Sequence, residues 1–185
     1  MEYKLTGWSN RRSLRSPSFY ISPGGYRMYI RIYPRQNEDN FYVHVGVTLG
    51  DYDDKLPWPF KLKHRVNILD QMSSEVGAQE DISSRVWDPT LLCSEFNWQK
   101  PTTGDNYECV GLGFPHSVIR SRNYIRDDTI IIKLTVYLDW MHPHYALIWI
   151  TCEFEEFDCI NKKILKYGYY ENRKNKDISL LSLSK

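Results

Sequence analysis

The residues that could carry chemistry in this chain fall into four small groups. Two histidines flank a proline at His142-Pro143-His144, with Cys152 downstream, a set of donors that a metal ion could use. The proline fixes an extended turn and no second ligand pair stands at a matching spacing, so a surface turn is the better reading and no metal site is expected. Adjacent carboxylates at Asp53-Asp54 and Asp127-Asp128 could do acid–base work, because a like charge alongside pushes one pKa upward. Each pair lies where a strand is entered or left, where Asp side chains close turns, and structural use is favoured. Cys93, Cys109, Cys152 and Cys159 are irregularly spaced without a C-x-x-C pair, which fits reduced cytosolic thiols better than a disulfide framework or a zinc site. No G-x-S-x-G context sets a nucleophile beside a histidine and an acid, so no catalytic residue and no cofactor are expected.

The fourth group is of another kind. Along residues 26–33, Tyr26, Met28, Ile30 and Ile32 share one face while Arg27, Tyr29, Arg31 and Tyr33 share the other. The first set reads as a core face. The second offers flat aromatic area and forked donors for carboxylates, the residue types that dominate binding hot spots. The same residues would also serve as cross-strand pairs on ordinary sheet surface, and the pattern alone does not choose between the two.

These groups must be positioned by strands. Period-two alternation recurs over residues 41–49, with Phe41, Val43, Val45, Val47 and Leu49 facing in and Tyr42, His44, Gly46 and Thr48 facing out. The polar segment 34–40 between these runs predicts a hairpin. Further runs cover residues 3–8, 64–69, 107–114 and 129–138, and only 71–86 offers room for a short helix. Many short strands separated by turn residues argue for an all-β sandwich. After Asp139 the text changes, predicting a division into residues 1–139 and a C-terminal extension, 140–185, of unknown role. The apolar run 145–157 in that extension is expected to form an extra extended segment that packs on the sandwich or binds a partner.

The bulk numbers exclude other classes. A net charge of +1 with 42% hydrophobic and 15% aromatic residues fits neither a disordered chain nor a nucleic-acid binder with a broad basic field. The most apolar stretch, 145–152, is far shorter than the roughly 20 residues of a membrane helix, so no membrane insertion is expected. The first residues carry no leader-like apolar run, no N-x-Ser/Thr sequon occurs, and a cytoplasmic location is expected.

Several stretches occur in an order that resembles one family. They are Ser16-Pro17-Ser18-Phe19-Tyr20, Gly25-Tyr26-Arg27-Met28-Tyr29-Ile30-Arg31-Ile32-Tyr33, Gly50-Asp51-Tyr52-Asp53-Asp54-Lys55-Leu56-Pro57-Trp58-Pro59-Phe60, Leu69-Asp70-Gln71, Trp98-Gln99-Lys100-Pro101 and Tyr124-Ile125-Arg126-Asp127-Asp128-Thr129-Ile130-Ile131-Ile132-Lys133. The set resembles the TRAF-C/MATH domains of tumour necrosis factor receptor-associated factors, and Tyr3-Lys4-Leu5-Thr6-Gly7-Trp8 is similar to their first-strand pattern. The resemblance implies an eight-stranded antiparallel β-sandwich. It further implies an adaptor that binds short extended peptides of receptor or adaptor tails by β-augmentation, in which main-chain bonds give affinity and alternate pockets give specificity.

On this resemblance Arg31 and Tyr33 match peptide-binding positions, His44 lies where the family often has a pocket phenylalanine, and Trp87 matches a second pocket aromatic. The run Gly111-Leu112-Gly113-Phe114-Pro115 is similar to the strand on which peptides pair. Where one subgroup has a run of serines that grips a peptide glutamine, this chain has Glu95-Phe96-Asn97. It is more similar to the subgroup whose peptides centre on a proline and an acidic or aromatic residue. Neither a RING segment nor a heptad run is present, so only weak trimerisation is expected. The alternative function is a MATH-type substrate-recognition module of a ubiquitin ligase.

Overall fold

The computed structural model describes residues 13–36, 39–72, 78–127, 129–138, 144–153, 158–160 and 166–169. Along these the chain forms β1 (Leu14–Arg15), β2 (Phe19–Tyr20), β3 (Arg27–Gln36), β4 (Asn40–Val47), β5 (His64–Ile68), β6 (Ile82–Ser83), β7 (Cys109–Pro115), α1 (His116–Ile119), β8 (Ile125–Arg126), β9 (Thr129–Tyr137), β10 (His144–Glu153), β11 (Asp158–Ile160) and β12 (Lys166–Tyr169). Two antiparallel sheets result. One runs β1-β3-β4-β7 with β2 also on β3; the other runs β11-β10-β9-β5-β6, with β8 on β9 and β12 on β10. The expected eight strands become more numerous because four pieces are only two residues long and the C-terminal segment contributes three.

The core lies where the alternation places it. Met28, Ile30 and Ile32 of β3, and Phe41, Val43, Val45 and Val47 of β4, are buried. From the second sheet they meet Val66 and Ile68 of β5 and Ile130, Ile132, Leu134 and Val136 of β9. Burying each such side chain contributes about 1.5–3 kcal/mol before the entropic cost of ordering it.

Four features depart from the sequence reading. Tyr29 points outward yet is wholly buried: Gly46 stands directly opposite, and a Cβ there would meet the Tyr29 ring at 2.6 Å. Leu49 lies beyond the end of β4 and is 43% exposed. The short helix for which 71–86 offered room is absent among its described residues, because Ser84 donates its N–H to the Val66 carbonyl and its hydroxyl oxygen accepts the Val66 N–H, while Asp70 accepts the amides of Met72 and Glu80. These bonds hold the segment extended beside β5. Finally, Cys93 and Cys109 form a disulfide across a separation of 16 residues, correcting the reading of reduced thiols; the loop returns Cys93 to the start of β7, which the spacing does not reveal.

The sheet also continues past Asp139. β10 pairs with β9 at nine successive positions, from Tyr145↔Tyr137 to Glu153↔Thr129, and Ile148 and Ile150 join the core. The run at residues 3–8 and His142-Pro143 lie outside the described residues.

Candidate functional site

The register of the first sheet lines up its outward residues in rows. Arg15 of β1 stands opposite Arg31, Arg31 opposite His44 and His44 opposite Val110 of β7. The next row runs Tyr33, Tyr42, Gly113. Arg31, Tyr33 and His44 are therefore brought together, with the rings of Tyr33 and His44 4.7 Å apart and Tyr42 6.1 Å from His44.

The other expected site residues occupy β7 and its flank. Among the described residues β7 pairs with β4 alone, so its second edge has no strand partner. A bulge between Val43 and His44 leaves Gly111 without a counterpart, and this resets the alternation: Leu112 and Phe114 turn inward, each 8% exposed, and Phe114 stacks on Phe41. A Cβ on Gly111 would meet Val66 at 2.8 Å, and the ring of Tyr42 lies across Gly113. The two glycines thus make room for side chains of their own chain. Trp87, bridged to His64, donates its indole N–H to the Gly111 carbonyl and carries the Arg85 guanidinium 4.0 Å above its ring. Leu112 and Phe114 are held in the core, apart from the Arg31 cluster on the outer face.

The electrostatics of the outer face depend on residues that the sequence reading did not select. Arg15 grips Asp105 through two bonds of 2.6 Å, and Arg31 lies 3.5 Å from the same carboxylate. Glu108, just ahead of β7, accepts from the hydroxyls of Tyr33 and Tyr29, the latter at 3.1 Å, with Arg31 Nε 3.4 Å away. Burial pushes the Glu108 carboxyl up, but the bonds from Tyr33, its backbone and Tyr29 and the charge of Arg31 outweigh it and hold the pKa below the usual range. Burial, the Glu108 hydrogen bond and its charge push the Tyr33 phenol up to about 12. Burial lowers His44, opposed by Glu108 and reinforced by Arg31, so a neutral imidazole faces this row. The one sequence cue to Glu108 is an acid inside an otherwise apolar run at 107–114. Arg15 and Asp105 come from a two-residue strand and a loop and give no periodic signal.

No group of three or more His, Cys, Asp or Glu side chains among the described residues is placed to hold a metal ion. No helix among them is long and apolar enough to cross a membrane.

Comparison with known proteins decides the family. The TRAF/meprin MATH-domain model matches residues 11–133. The chain belongs to the TRAF/meprin MATH family. It is 30% identical over 141 residues to TNF receptor-associated factor 6-A of Xenopus laevis, covering 70% of this chain. It is 32% identical over 133 residues to human TNF receptor-associated factor 6, covering 66% of this chain. Each alignment spans only 24% of the relative's own length. TNF receptor-associated factor 1 of Mus musculus is 31% identical over 130 residues, covering 67% of this chain and 30% of its own. Among solved structures, TRAF5 of Notothenia coriiceps superposes with a TM-score of 0.57 at 25% identity, over 72% of this chain and 70% of that one. The MATH match ends at residue 133, so β10 to β12 are additions to the matched segment.

Proposed function

We propose that this MATH domain is a docking module that takes a short extended peptide along the edge of β7 that has no strand partner among the described residues. The observation that carries this reading is that free edge, flanked on its outer face by the row Arg31, His44, Val110. An incoming strand completes the β7 ladder with main-chain hydrogen bonds, which contribute affinity irrespective of sequence. Its side chains on the outer face then reach Tyr33, Tyr42 and His44 for stacking area and Arg31 for charge. Trp87 closes one end of the edge by holding the Gly111 carbonyl.

The names of the relatives, TNF receptor-associated factors, direct the search for partners to cytoplasmic tails of receptors and their signalling adaptors, with short motifs containing proline and an acidic or aromatic residue. The chain would then work as a cytoplasmic adaptor and not as an enzyme. An array of receptor-tail and adaptor-tail peptides probed with the purified chain tests this. Retention of a related set of motifs is expected, and retention of none would sink the reading.

A further inference from the structure

Two donors that could receive a peptide carboxylate, the hydroxyl of Tyr33 and the guanidinium of Arg31, already converge on Glu108 of the same chain, while the buried Tyr29 hydroxyl lies 3.1 Å from Glu108 and 2.7 Å from the Asn106 carbonyl. We infer that Glu108 is an internal stand-in for a ligand carboxylate, so that an acidic peptide docks on this face by displacing it. This rests on the docking reading above and names how the same site is regulated.

The fit of Glu108 is incomplete. Arg31 Nε is buried yet has no hydrogen-bond partner, and neither has His44 Nε2, which belongs to the residue directly opposite on β4. Buried polar atoms without partners are costly and uncommon. Their coincidence at adjacent positions of one row marks a place where further polar groups can be accepted. Glu108 itself precedes the ladder: the register of β7 with β4 begins at Cys109, so turning the Glu108 side chain away breaks no hydrogen bond of the sheet.

Charge points the same way. Arg15 is fully engaged by the two-pronged contact with Asp105, which leaves Arg31 as the cation that answers Glu108. With Glu108 seated, the two arginines are balanced by two carboxylates and the face offers an acid little net attraction. Once Glu108 swings out, Arg31 and the Tyr33 phenol are released together, while Tyr29 keeps its bond to the Asn106 carbonyl. A neutral peptide that touches only the β7 edge has no such competition to overcome. Glu108 therefore weakens selection for acids, and an acidic motif wins only when its own carboxylate satisfies the site better.

The test uses the full chain and two blocked nonapeptides, each with one proline and one tyrosine, differing only in a central glutamate or glutamine. Calorimetric titration compares wild type, Glu108→Gln and Arg31→Ala. Gln is isosteric and its amide oxygen still accepts from Tyr33, while Tyr29 keeps the Asn106 carbonyl; should that variant unfold, Glu108→Asp withdraws the carboxylate instead and is expected to act in the same direction. Glu108→Gln is expected to tighten the glutamate peptide by about tenfold, the gain of one charge-assisted contact, and to leave the glutamine peptide unchanged. Adding Arg31→Ala to Glu108→Gln should abolish the gain. If Arg31→Ala weakens the glutamate peptide while Glu108→Gln leaves it unchanged or weaker, Glu108 is a fixed part of the surface and the inference is overturned. If neither peptide binds any variant, the docking reading itself fails and takes this inference with it.

Discussion

Replacing Ile150 by alanine tests whether the C-terminal strand is part of the folded core. Ile150 is wholly buried and pairs with Ile132 on β9, while Ile148 pairs with Leu134 two residues away; all four side chains are in the core. Truncating a buried isoleucine to alanine typically costs about 2–5 kcal/mol, the upper end applying where neighbours cannot collapse into the space. Packing between two long strands resists such collapse, so about 3 kcal/mol is expected. For a chain of this size each kcal/mol shifts the melting temperature by roughly 2–4 °C, which gives a loss of roughly 6–12 °C. Leu91→Ala, at a position 86% exposed, is the control and should stay within about 0.5 kcal/mol. Thermal unfolding followed by circular dichroism reads both. A chain ending at residue 139 should lose more, because it gives up Ile148 and Ile150 together and leaves β9 as an open edge prone to association. An Ile150→Ala protein that melts with the wild type, together with a stable and monomeric 1–139 chain, would refute the packing of β10.

Arg31→Ala and Tyr33→Ala should each weaken binding of an array-derived peptide by about 1–3 kcal/mol in calorimetry, while the partly exposed Arg31 ion pairs limit the stability loss to about 1 kcal/mol; unchanged affinity in both would move the site elsewhere. His64, almost fully buried, is held neutral by burial, which brings its pKa down to about 4 against a weak opposing bond to the Leu62 carbonyl. Its unfolded value is about 6.5, so the stability it confers is complete above that pH and is lost as pH falls toward 4, by ~3 kcal/mol in all. Chemical unfolding at stepped pH should show this loss in wild type and a shallower one in His64→Leu, and equal slopes would contradict it. Sedimentation at micromolar concentration should find this chain mainly monomeric, since no heptad run is present to hold a trimer; a stable trimer would redirect attention to β10–β12.

The strands of this protein were legible because burial on one face writes a period of two into the text. Met28, Ile30 and Ile32 and Phe41, Val43, Val45 and Val47 all lie where that period puts them. What the period cannot convey is an interruption of itself. The bulge at Gly111 resets β7 and turns Leu112 and Phe114 into the core, although their place in the motif suggested a docking face. Outward position is likewise not exposure: Tyr29 lies outward and is covered because Gly46 offers it a bed and Arg15 stands 4.4 Å above its ring. The candidate site was half readable. Arg31, Tyr33 and His44 share strands whose register follows from the hairpin, whereas Glu108 and Asp105 come from a loop more than 60 residues away in sequence, where only the folded chain sets the distance. The Cys93–Cys109 pair was hidden for the same reason.

The central claim is that an extended peptide adds itself to the free edge of β7. Backbone amide hydrogen–deuterium exchange of the chain, measured with and without an array-derived peptide at saturation, addresses it most directly. The account predicts new protection confined to amides within 110–115 and their immediate surroundings, with side-chain resonances of Arg31 and Tyr33 shifting in parallel. Protection appearing instead along β10 to β12, with residues 110–115 unchanged, would contradict it.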